Sequence, residues 1–94
     1  MIVKAKPFQK KYDDDTYIDD INREVDKLNS LIDIYNSVPY SEKAEALLQV
    51  HQQLLKIDAN IGGMGTVAAI AIGDFPYSEF YENLSNQIRT EFTT

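Results

Sequence analysis

Between Asp15 and Ser37 the apolar residues Ile18, Ile21, Val25, Leu28, Ile32 and Tyr35 recur at alternating steps of three and four. That spacing is the stripe of a helix packing on other helices, and Tyr17, Leu31 and Ile34 widen it into a face suited to a bundle interior. Asp13, Asp14 and Asp15 supply N-cap oxygens, and Asp19 and Asp20 sit near the first turn, where the helix dipole favours anions. The helix ends in Asn36-Ser37-Val38-Pro39, because the residue before a proline avoids the helical region. Ser41 then caps a second predicted helix reaching about Ile61, with Leu47, Val50, Leu54, Ile57 and Ile61 on one face. Its opposite face reads Glu42, Glu45, Gln49, Gln52, Lys56 and Asn60 and is suited to solvent.

Gly62-Gly63-Met64-Gly65 is predicted to end the second helix, since glycine accepts the left-handed cap conformation without penalty. Thr66 to Ile72 carries no charge and reads as a short buried helix, with an apolar loop or a single strand as the alternatives. A last helix follows from Pro76 or Ser78 to about Phe92, burying Tyr77, Phe80, Tyr81, Leu84, Ile88 and Phe92. Short connections make successive helices antiparallel neighbours. Pro39-Tyr40-Ser41-Glu42 and Pro76-Tyr77-Ser78-Glu79 echo one another as shared helix-start grammar rather than as a repeat. The expected fold is therefore all-α: a small antiparallel helical bundle of three main helices plus a short fourth element, one domain over residues 1–94.

Composition narrows the chemistry. Ninety-four residues with 44% hydrophobic content support one core. The absence of cysteine excludes disulfides, thiolate metal sites and cysteine nucleophiles. The single histidine, His51, has Leu47 and Leu55 one turn away on its helix face, which suits a partly buried boundary residue better than a catalytic one. Gly63-Met64-Gly65-Thr66-Val67-Ala68 spells a dinucleotide-binding pattern, but the preceding residues have helical period where that motif needs a strand. Asp13, Asp15 and Glu24 match three positions of a calcium loop that lacks its obligatory glycine, Ile18 standing there instead. No nucleophile, base and oxyanion donor combine, so neither enzymatic activity nor a cofactor or metal is expected. The start, Met1-Ile2-Val3 before lysines and a proline, has no apolar leader region.

Charge is unevenly placed. The net charge of −6 argues against nucleic acid as a partner. Lys4, Lys6, Lys10 and Lys11 nevertheless lie in a basic arm, residues 1–12, that holds no acid; the rest of the chain carries five basic residues against all fifteen acids. Helices that run away, return and run away again bring this arm and the segment from Gly62 to Tyr77 to the same pole. Lys4, Lys6, Phe8, Lys10, Lys11 and Tyr12 would then adjoin Phe75 and Tyr77. Cations beside insertable aromatics are two membrane signals, and stable peripheral attachment generally takes two.

In size, helix order and the stretch Lys6-Pro7-Phe8-Gln9-Lys10-Lys11-Tyr12 before the first long helix, the chain resembles the membrane-localisation domains of large multidomain bacterial toxins. Those four-helix bundles attach to anionic inner-leaflet lipid through two loops at one tip. The resemblance implies that Phe8, Lys10 and Lys11 form the first loop and that Phe75 and Tyr77 fall in the second. The chain departs from the family in having Asp74 and no basic residue in that second loop, and little room for a short first helix. The expected function is non-enzymatic attachment to anionic membrane lipid at a cytoplasmic face, in a host cell if the toxin resemblance holds. The alternative is a cytoplasmic helical module that binds a protein partner or forms homo-oligomers.

Overall fold

The computed structural model describes residues 1–9, 16–71 and 77–93, the side chains of 62–71 and 77–78 excepted. Three helices make up the fold: α1 (Thr16–Ser37), α2 (Tyr40–Ala71) and α3 (Tyr77–Thr93). There are no strands among the described residues.

The predicted seam of α1 is the observed one, with Ile18, Ile21, Val25, Leu28, Ile32 and Tyr35 all buried. Leu47, Val50, Leu54 and Ile57 of α2 and Leu84 and Ile88 of α3 close the core against it. Tyr17, Ile34 and Phe92, which the spacing drew into the interior, are exposed; each lies at the margin of its helix's apolar stripe. The link between α1 and α2 is tight. Val38 donates to the Ile34 carbonyl, and Glu42 donates to the Pro39 carbonyl at 2.9 Å, opening α2 one residue ahead of Ser41.

Two polar clasps set α1 antiparallel to α2. The Lys43 ammonium donates to the Tyr35 carbonyl at 2.6 Å and lies 4.6 Å from the centre of its ring. Farther along, the Gln53 amide donates to both the Glu24 carbonyl and its carboxylate, at 3.0 and 2.7 Å. Lys27 and Lys56 also approach that carboxylate, so Glu24 is committed to the helix interface rather than to a calcium loop.

The glycines do not end α2. The helix runs 32 residues through Gly62, Gly63 and Gly65 to Ala71, so Thr66 to Ala71 is its last part and no separate fourth helix stands there. Each interior glycine costs about 1 kcal/mol relative to alanine. Extending an existing helix still avoids the cost of nucleating another, and Ala68, Ala69 and Ala71 are strong helix formers. The dinucleotide-like pattern accordingly sits inside a helix, without the strand it requires.

The fourth element is the arm. Residues 1–9 form no helix, yet Ile2 is only 1% exposed and belongs to the core, with Ala5 and Phe8 packed against it. Among the described residues, no Cα of α1 lies within 8 Å of a Cα of α3. The arm fills the gap between them, running antiparallel to both.

Candidate functional site

The groove between α1 and α3 is built on three asparagines, Asn22, Asn29 and Asn36, one heptad apart on α1. Each one exchanges two hydrogen bonds with a single residue of the arm. Ile2 donates to the Asn36 carbonyl oxygen at 3.0 Å and accepts from its amide nitrogen at 2.9 Å. Ala5 does the same with Asn29 at 2.8 and 2.9 Å, and Phe8 with Asn22 at 2.8 Å in both directions. From the other wall, the Gln87 side chain of α3 accepts from the Val3 amide at 2.8 Å.

The pitch of the two elements explains the pairing. A heptad of α-helix advances about 10.5 Å, and three residues of nearly extended chain cover about 10 Å. Every third arm residue therefore meets the next asparagine. A period of three is that of polyproline II, in which the chain makes no internal hydrogen bonds and its peptide groups must find outside partners. Pro7 suits that conformation. A flat strand would turn Ala5 away from the face that Ile2 and Phe8 share. An asparagine amide offers one donor and one acceptor side by side, so it pairs with a residue's N–H and C=O as a neighbouring strand would.

Side chains at the same three positions face the core. Ile2 is enclosed, Ala5 is half-buried, and the Phe8 ring stands 5.0 Å from that of Phe80 at a tilt of 60°. The intervening Val3, Lys4, Lys6, Pro7 and Gln9 are exposed. Near the start of the arm, the Met1 amino group pairs with the Glu91 carboxylate at 2.5 Å, which also accepts from the Tyr35 hydroxyl at 2.9 Å. The amino group and then the hydroxyl hold the Glu91 carboxyl below the usual carboxylate range. Burial, reinforced by Glu91, pushes the Tyr35 phenol up to about 12.

Of the residues predicted to meet a membrane, Lys4 reaches Asp33 at 3.4 Å and Phe8 packs against the core; Lys6 is exposed. Phe8 is half-buried, with its ring packed on that of Phe80. Lys10, Lys11, Tyr12 and Phe75, and the Tyr77 side chain, lie outside the described residues. His51 is half-buried beside Phe92, ring edge to face at 6.4 Å, and its Nδ1 has no hydrogen-bond partner among the described residues.

The three asparagines were not singled out from the sequence. Their heptad spacing beside the α1 seam, together with the three-residue spacing of Ile2, Ala5 and Phe8, is the signal that could have found them. No helix among the described residues is long and apolar enough to cross a membrane. Comparison with known protein families, with curated proteins and with solved structures returned no match.

Proposed function

We propose that this chain is a non-enzymatic protein-interaction module, a three-helix scaffold that holds an extended polypeptide by its main chain. The observation that carries the reading is the pairing of Asn22, Asn29 and Asn36 with three peptide units of the arm. Side-chain amides that satisfy backbone groups without consulting side-chain identity are the chemistry of peptide docking. Sequence charge around the start of α1 also favours a protein partner over anionic lipid. Asp13, Asp14, Asp15, Asp19 and Asp20 follow Lys10 and Lys11 in the chain, and anionic headgroups would repel the excess acid.

Attachment to anionic membrane is the second reading, supported by the exposed Lys6 and by the direction of the arm. Its ninth residue lies toward the pole where α2 ends and α3 begins, and Lys10, Lys11 and Tyr12 follow it in the chain. Co-sedimentation with vesicles, with and without phosphatidylserine, separates the two, alongside sedimentation equilibrium over a concentration series. The module reading expects no lipid-dependent pelleting, and self-association that emerges only as the concentration approaches the roughly millimolar effective concentration of a tethered arm. Pelleting that requires phosphatidylserine and disappears with Lys10→Glu and Lys11→Glu overturns it.

A further inference from the structure

We infer that the α1–α3 groove is a peptide site that can be filled in trans, and that its occupant is the same nine-residue segment from a second copy of the chain. The inference rests on the interaction-module reading and names its ligand: an extended chain with a large aliphatic residue, a small residue and an aromatic residue at steps of three.

Three features of the contact carry it. All six asparagine bonds end on main-chain atoms, so any extended chain of correct pitch satisfies them. Selectivity comes from the side chains beneath: Ile2 is enclosed, Ala5 packs half-buried against the core, and Phe8 is seated on Phe80. Positions 3, 4, 6, 7 and 9 face outward and tolerate substitution. Among the described residues, the hydrogen bonds of the arm run to α1 and α3 rather than within the arm itself, as those of a helix would. Its energy lies almost wholly in the groove, and a second copy's arm recovers the same contacts.

What keeps the groove filled in cis is tethering. A short linker gives the chain's own arm an effective concentration on the order of millimolar, which a second copy must exceed. Weakening the cis arm removes that advantage and leaves the groove walls intact. The asparagines, Gln87 and Phe80 all belong to α1 and α3.

The test uses the full chain with Ile2→Ser and Phe8→Ser, titrated into a nonapeptide of the sequence of residues 1–9 carrying a dye beyond its last residue. Fluorescence anisotropy reads binding, and circular dichroism reads helix content. The expected result is binding at least tenfold tighter than to the wild-type chain, whose groove is occupied. A third substitution, Asn29→Leu, should weaken it tenfold or more, and a peptide carrying Ile2→Asp should not bind. If the arm-weakened chain has lost its helices, the peptide should restore them, and the Ile2→Asp peptide should not. Absence of both binding and recovery overturns the inference, as does binding equal to that of the wild type or indifferent to Ile2→Asp. Because this assay contains neither vesicles nor an intact second copy, its failure removes the groove as a site in trans. The broader module reading stands or falls by the vesicle and sedimentation measurements.

Discussion

Asn29 and Ala5 exchange a pair of hydrogen bonds, 2.8 and 2.9 Å, across an interval of 24 residues. Asparagine is an indifferent helix former because its amide competes for nearby backbone groups. On α1 that competition is resolved by giving the amide a distant backbone to hold. Two bonds at each of three positions, on the order of 1 kcal/mol net per bond, turn an arm without secondary structure into the fourth side of the bundle.

Asn29→Ala should therefore destabilise the fold by about 1–3 kcal/mol, because it strands the N–H and C=O of a half-buried residue. The exposed Asn60→Ala should move the urea midpoint little. Amide exchange at Ala5 gives a local readout and should accelerate in the first variant alone. Equal behaviour of the two variants would mean the arm is held by its side chains.

Ile2→Ala should cost about 2–5 kcal/mol, a core-sized effect from the second residue of the chain, whereas Val3→Ala, 71% exposed, should cost little. Thermal or urea unfolding distinguishes them. Similar small effects for both would place the arm outside the core.

At the centre of the bundle, Leu28 is 0% exposed. Leu28→Ala should likewise cost about 2–5 kcal/mol, a large share of the roughly 5–15 kcal/mol that native folds possess. Unchanged thermal unfolding would show that the seam of α1 is not what holds the helices together.

Acid should loosen the molecule at two identified carboxylates. Glu24 is held below its ordinary value of 4.5 chiefly by the Gln53 amide, with Lys27 and Lys56 adding to it and burial opposing. Glu91 is held below 4.5 by the Met1 amino group and then by Tyr35. A carboxyl depressed in the folded state gives stability that is complete above its unfolded value and is lost as pH falls toward the folded one. The urea midpoint should hold at neutral pH and fall as pH drops below 4.5. Glu91→Gln should start from lower stability and show a shallower acid loss; an unchanged slope would remove Glu91 from the effect.

Tyr35 gives the alkaline counterpart. Burial, with the Glu91 carboxylate beside it, raises its phenol to about 12 from an ordinary 10.0. A raised acid gives stability that is present below the unfolded value and lost as pH climbs toward the folded one. Phenolate absorbance should show a component near pH 12 that Tyr35→Phe abolishes. A titration curve identical in the variant would mean that Tyr35 is not the late-ionising group.

The sequence by itself determined that there are three main helices and which apolar seam of α1 closes the core. Steps of three and four put Ile18 through Tyr35 on one line of α1, and no tertiary information is needed to know that such a line must leave water. Tertiary structure decided where the chain's two exceptional segments went. The glycines from Gly62 read locally as a stop, yet α2 passes through them to Ala71, because propagation along a formed helix outweighs their intrinsic cost. The lysine-rich arm reads as a membrane-facing segment, and nothing in α1 alone marks Asn22, Asn29 and Asn36, until the two are laid antiparallel. Only then does a three-residue step of extended chain coincide with a seven-residue step of helix. That coincidence belongs to two elements at once, which is why neither reveals it alone.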